Sequence, residues 1–139
     1  MKFATDQDMF DYVTDAIIKQ GQPSAIVIKP DGDIRCFCMY RSPAGKCAAG
    51  HLIPDDRYKE SMEDRPACSL FFSELSDLDL FPTDKSIDLL QSLQESHDDA
   101  ARASFQDSTF NKEKFLEEVL GNFRETASVY GLIFKGVPQ

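Results

Sequence analysis

The chain has 139 residues, 42 % of them hydrophobic and 28 % charged, with a formal net charge of −9. That is globular composition, which excludes long disorder and fibrous repeats and makes one domain over residues 1–139 the expectation. No apolar run approaches the roughly 18–20 residues of a membrane helix, and the opening MKFATDQDMF lacks the apolar stretch of a secretory signal, so a cytoplasmic protein without membrane contact is expected.

Thr5 followed by Asp8 has the form of a helix N-cap with an acid in the first turn. Met9, Phe10, Val13, Ala16 and Ile17 recur at helical spacing before Gly21 and Pro23, so a helix is predicted over 6–20. Ala25 to Ile28 is a short apolar run rich in β-branched residues. Lys29-Pro30-Asp31-Gly32-Asp33 is turn chemistry, and Ile34 to Arg41 reads as the returning strand of a hairpin. After the Ser42-Pro43-Ala44-Gly45 turn, Lys46 to Ile53 is expected to form a short helix ending at Pro54. The small residues Ala48, Ala49 and Gly50 point there to close backbone approach. Residues 55–64 read as loop with a helical turn. Pro66 opens a short helix with Leu70, Phe71 and Leu75 as its apolar stripe, and Ser76 to Pro82 is a connection. Thr83 or Asp84 is the expected cap of a longer helix carrying Ile87, Leu90, Leu93, His97 and Ala101 on or near one face. Residues 104–109 break the pattern. Asn111 caps a last helix with Phe115, Val119, Phe123, Ala127 and Tyr130 in its stripe, and Gly131 follows it. Leu132 to Phe134 is expected to pack back on the core. The fold class that results is α+β: a small, mainly helical domain of four to five helices packed on a two-stranded antiparallel hairpin.

The four cysteines of a cytoplasmic chain do not suggest a disulfide framework. Cys36 and Cys38 on one strand would stand roughly 6.5–7 Å apart, too wide for an unstrained bridge. The plain reading is that the cysteines fill space as small hydrophobes. The alternative is zinc at Cys38, Cys47 and His51, because residues 47 and 51 would share a helix face. A second alternative makes Cys47 a nucleophile beside Lys46, with His51 or His97 as base. Asp98 is a poor orienting group for His97 on this reading, since adjacent helical residues point apart. His97 itself reads as a hydrogen-bonded core histidine. Arg41 is expected to pair with an acid of the 55–64 loop. No dinucleotide, phosphate-loop, nucleophile-elbow or metalloprotease motif is present.

The charge is placed unevenly. Residues 55–99 hold 13 acids and four bases, which accounts for the whole net charge, while the rest of the chain balances 11 against 11. Nucleic-acid binding needs the opposite sign, so none is expected. A basic protein partner fits, met through Asp55, Asp56, Glu60, Glu63 and Asp64. A more specific form of the same idea is mimicry of DNA charge to block a defence or nucleic-acid enzyme.

Cys38-x-Tyr40-Arg41, the run Gly45-Lys46-Cys47-Ala48-x-Gly50-His51-Leu52-Ile53-Pro54-Asp55, then Tyr58, Met62 and Glu63 are similar to a family of small uncharacterised bacteriophage and prophage proteins. Leu93-Gln94-x-x-His97-Asp98 matches more loosely. The resemblance implies a viral or prophage setting and little chemistry, and the acidic belt would suit a phage protein that meets a host-encoded partner. The function expected is therefore that of a small acidic accessory protein, more a binder than an enzyme and without a cofactor.

Overall fold

The computed structural model describes residues 2–28, 35–63, 65–106 and 109–136, and for residues 26–28, 35–37 and 106 it describes the backbone alone. Helix α1 spans Asp6–Gln20. The hydroxyl of Thr5 accepts the Asp8 amide at 3.1 Å, satisfying one of the first-turn donors. At the other end Gly21 takes φ +73°, where a side chain would be strained, and returns its amide to Ile17. Met9, Phe10, Val13 and Ile17 of α1 are fully buried.

Strands β1 (Ala25–Ile28) and β2 (Arg35–Cys38) pair antiparallel, with Ala25 opposite Cys38 and Ile28 opposite Arg35. The expected turn at 29–33, and Ile34 with it, lies outside the described residues. The returning strand is shorter than the 34–41 expected from sequence. The Met39 amide still reaches Ser24 O at 2.9 Å, but the amides of Tyr40 and Arg41 turn to the Glu63 carboxylate instead. Arg41–Ser42 (β3) then pairs with Gly45–Lys46 (β4) in a second, minimal hairpin.

The helix expected over 46–53 is not formed. Lys46 is held in β4, and the chain makes only a 3-10 turn at Ala49–Leu52. Close approach is the reason, and the small residues do mark it. An added Cβ on Gly50 would lie 2.1 Å from the backbone oxygen of Tyr40. Helix α2 (Ala67–Phe72) follows Pro66 and buries Leu70 and Phe71, with Leu75 buried just past its end.

Helix α3 (Lys85–Ser104) is the central element. Neither expected residue caps it through a side chain. Instead the Ser86 hydroxyl accepts the Thr83 amide at 3.3 Å and donates to Asp6 at 2.5 Å, which ties the start of α3 to α1. At the break after α3, Phe105–Gln106 (β5) pairs antiparallel with Thr109–Phe110 (β6). Helix α4 (Lys112–Tyr130) returns along α3, capped by Asn111 at Lys114 N (3.0 Å) and ended by Gly131 at φ +68°. Ser96 meets Thr126 at 3.2 Å, and Ser92 meets Tyr130 at 3.0 Å, so the two helices run antiparallel. The C-terminal segment crosses α1: the Gln7 side chain bonds both the amide and the carbonyl of Ile133, and Phe134 stacks edge-on to Phe10 and Phe123.

Four α-helices on an antiparallel hairpin make the α+β class read from the pattern. Residues from α1, the 47–53 turn, α2, α3 and α4 share one contiguous core. Among the described residues no helix is long and apolar enough to cross a membrane.

Candidate functional site

Three groups of side chains bear on function. The first joins residues 40–63. Glu63 is turned inward. Its carboxylate accepts the amides of Tyr40 (2.7 Å) and Arg41 (3.2 Å) and the hydroxyl of Tyr58 (2.5 Å). Burial first, then that carboxylate, pushes the Tyr58 phenol up to about 12. Arg41 lies over the Tyr58 ring at 4.8 Å, donates to Ile53 O at 2.7 Å and pairs with Asp55 at 2.8 Å. Asp55 also meets Lys46 at 3.6 Å. The expected pairing of Arg41 with a loop acid is thus formed, and it interlocks residues 41–63.

The same stretch holds two of the residues proposed for metal or thiol chemistry, Cys47 and His51, and it sets them in different surroundings. The Cys47 thiol is fully buried, accepts the Gly50 amide at 3.4 Å, and is pushed far above the ordinary thiol range by burial. The expected lowering by Lys46 and a helix start is absent, because the helix is not there, Lys46 turns to Asp55, and burial dominates at the thiol. His51 is half-buried in a shallow surface cleft with Lys46, Pro54 and Asp55, a cleft that Cys47 does not line. Its Nε2 is buried without a hydrogen-bond partner among the described residues, and burial followed by Lys46 lowers the imidazole to about 4.

The second group was not foreseen. Among the described residues, the side chains of Cys38, His97 and Asp98 place one ligand atom each within 4.8 Å of one another. Cys38 and Asp98 line a cleft of about 240 Å³ with Tyr40, Glu63 and Gln94, and His97 lies fully buried behind it. The imidazole Nδ1 meets Asp98 Oδ1 at 2.8 Å, and Nε2 accepts the backbone amide of Ser24 at 3.1 Å. This corrects the expectation that adjacent helical residues cannot engage, because a carboxylate can curl back to the ring beside it. Asp98 also takes the Gln94 amide at 2.9 Å, which holds it there.

The hydrogen bonds decide what this group can do. A backbone N–H can only donate, so Nε2 presents its lone pair to Ser24 and the ring proton sits on Nδ1, aimed at Asp98. A metal ion at Nδ1 would need that proton moved to Nε2, which breaks the Ser24 bond inside the core. A base acting through Nε2 would face the Ser24 amide and not Cys38, whose thiol lies 3.8 Å from Asp98 O. The arrangement is that of a satisfied core histidine.

The third group is the acidic surface. Arg57 is bound by Asp77 at 2.9 Å, and Arg65 pairs with Glu74. Asp79 pairs with Lys2 at 3.2 Å, and Asp99 with Arg102 at 3.2 Å. Asp56, Glu60, Asp84, Asp88 and Glu95 are exposed, and none has an ion-pair partner among the described residues. Asp84, at the N-cap position of α3, and Asp88 and Glu95 within it follow one another within about 40° around its axis at 100° per residue. Of the five acids expected to meet a partner, then, Asp56 and Glu60 are exposed and unpaired, Asp55 is exposed but paired, Glu63 is an internal clamp, and Asp64 lies outside the described residues. The α3 row was legible as i, i+4 and i+11 spacing once the helix was placed.

No family model, curated protein or solved structure matches this chain.

Proposed function

We propose that this protein works by binding a basic protein partner through its acidic side, as a small accessory protein and not as an enzyme. The observation that supports this most is the row of Asp84, Asp88 and Glu95, exposed on α3 while both arginines of the acidic segment are already held by other acids. Carboxylates without internal cations keep their field for a partner, and such a field steers association. The likeness of residues 38–63 to phage and prophage proteins would make that partner host-encoded and the setting the host cytoplasm.

Mimicry of DNA is the less favoured form of this reading. The α3 row carries three carboxylates over about 16 Å of helix axis at 1.5 Å per residue. A duplex carries one charge per about 1.7 Å. The row is too sparse to copy that density and dense enough to meet a few lysines.

The test is capture from host extract on the immobilised protein, compared with a variant carrying Asp84→Asn, Asp88→Asn and Glu95→Gln. A partner retained by the parent and lost by the variant is expected. Its association rate should fall roughly tenfold or more between low and high ionic strength, the behaviour of steered encounters. A rate that stays flat across the salt range overturns the proposal.

A further inference from the structure

The largest cleft among those described, about 410 Å³, opens between α2, the 76–82 connection and the first turn of α3. Its floor is buried and apolar, made by Phe71, Leu75, Leu80 and Ile87. Phe71 and Phe81 brace each other edge-to-face at 5.3 Å. One wall is Phe72, a large apolar side chain left 55 % exposed at the end of a short helix. Asp79 and Asp84 stand at the rim, and Asp84 is also the first member of the carboxylate row on α3. An aromatic-walled cleft therefore meets the acidic row at its first member, Asp84. Lys2, also at the rim, is occupied by Asp79.

We infer that this cleft is the anchor pocket for a basic peptide segment of the partner: one aliphatic or aromatic side chain enters between Phe72 and Phe81, and flanking Lys or Arg residues lie along Asp84 and Asp88. The inference rests on the acidic-surface reading above and names its partner chemistry. Charge complementarity selects this occupant over a neutral one, since beyond the Lys2–Asp79 pair the charged residue lining the cleft is the carboxylate of Asp84, with Asp88 exposed one turn further along α3. The apolar floor selects it over a polycation, which would leave the cleft unfilled. The exposed Phe72 is the kind of ring that a bound side chain covers.

The probe is a blocked twelve-residue peptide with a Leu-Phe pair flanked by Lys and Arg, titrated into the intact isotope-labelled protein. Amide shifts are expected to concentrate in residues 71–88. Replacing Leu-Phe by Ala-Ala at constant charge should weaken binding roughly tenfold or more, the value of one buried apolar side chain. Phe72→Ala, a change at a half-exposed position, should do the same, and Lys2→Ala should strengthen binding by freeing Asp79. If the Ala-Ala peptide binds as well as the parent while salt still weakens both, the pocket is overturned and the acidic-surface reading stands. If the parent peptide binds by its anchor but ignores salt, the cleft takes an apolar side chain but the basic-peptide inference falls together with the acidic-surface reading. No binding, shifts elsewhere, or a dimer of this chain that Phe72→Ala dissolves would each overturn the inference.

Discussion

Ser24 and His97 are 73 residues apart in the chain and are joined by one hydrogen bond, from the Ser24 amide to the imidazole Nε2 at 3.1 Å. The bond ties the residue before β1 to the middle of α3, so a single imidazole fastens the hairpin to the central helix. Replacing His97 by Ala removes a fully buried ring and orphans the Ser24 amide, at a cost of about 4 kcal/mol in unfolding free energy. His97→Gln can keep an acceptor near Ser24 and should cost roughly half as much. Urea unfolding of the two variants checks this. Equal losses would mean that ring volume alone matters.

Glu63 does for residues 40–58 what His97 does for the hairpin. With its carboxylate gone, two backbone amides and the Tyr58 hydroxyl lose their acceptor. Glu63→Ala is expected to cost about 3 kcal/mol and Glu63→Gln about 1 kcal/mol, since the amide keeps one acceptor oxygen. The Glu63→Gln protein should also ionise Tyr58 at lower pH than the parent, readable by ultraviolet titration, because the carboxylate that, after burial, does most to hold that phenol near 12 is removed. An exposed, partner-facing Glu63 would leave stability unchanged.

Gly50 is a packing requirement and not a turn requirement. Its Cβ position meets the Tyr40 carbonyl at 2.1 Å, and a backbone oxygen cannot swing away as a side chain can. Gly50→Ala should therefore destabilise by about 2 kcal/mol or more. Gly121, with nothing within 4 Å of its Cβ position and a helical backbone, is the control: Gly121→Ala should stabilise by roughly 0.5–1 kcal/mol. Thermal denaturation of the pair reads both signs.

His51 sets a pH dependence. Its imidazole ionises near 4 in the folded chain, against 6.5 for the ordinary group, because burial disfavours the cation. The unfolded chain therefore takes up a proton at His51 first as pH falls. Stability contributed by the neutral ring is complete above about 6.5 and is lost between there and about 4. Unfolding free energies at pH 7 and pH 4.5, compared between the parent and His51→Gln, should show a smaller acid loss in the variant. The same loss in both proteins would remove His51 from the effect.

Cys47 is expected to resist alkylation by iodoacetamide at neutral pH in the folded protein and to react only on unfolding, since it is buried and its thiolate strongly disfavoured. Peptide mapping by mass spectrometry reads this directly. Rapid native labelling of Cys47 would revive the nucleophile reading.

Local chemistry was readable from the chain alone. Thr5, Gly21, Asn111 and Gly131 sit where caps belong, and the stripes of α1, α3 and α4 follow a 3.6-residue period, because capping and burial of one face act between residues a few positions apart. The closeness at Gly50 was legible for a similar reason, as a run of small residues. The uneven charge was simple arithmetic.

What only the tertiary structure decided depends on partners distant in sequence. The helix expected at 46–53 yields to β4 and a 3-10 turn because Gly50 is pressed against Tyr40. Glu63 leaves the acidic surface because three donors from residues 40–58 converge on it. His97 is committed by an amide 73 residues away. The cleft beside Phe72 exists because α2 and the start of α3 are brought together across a connection that has no periodicity to read. Backbone amides have no letter in the sequence, and they are the groups that claimed the carboxylate at 63 and the imidazole at 97.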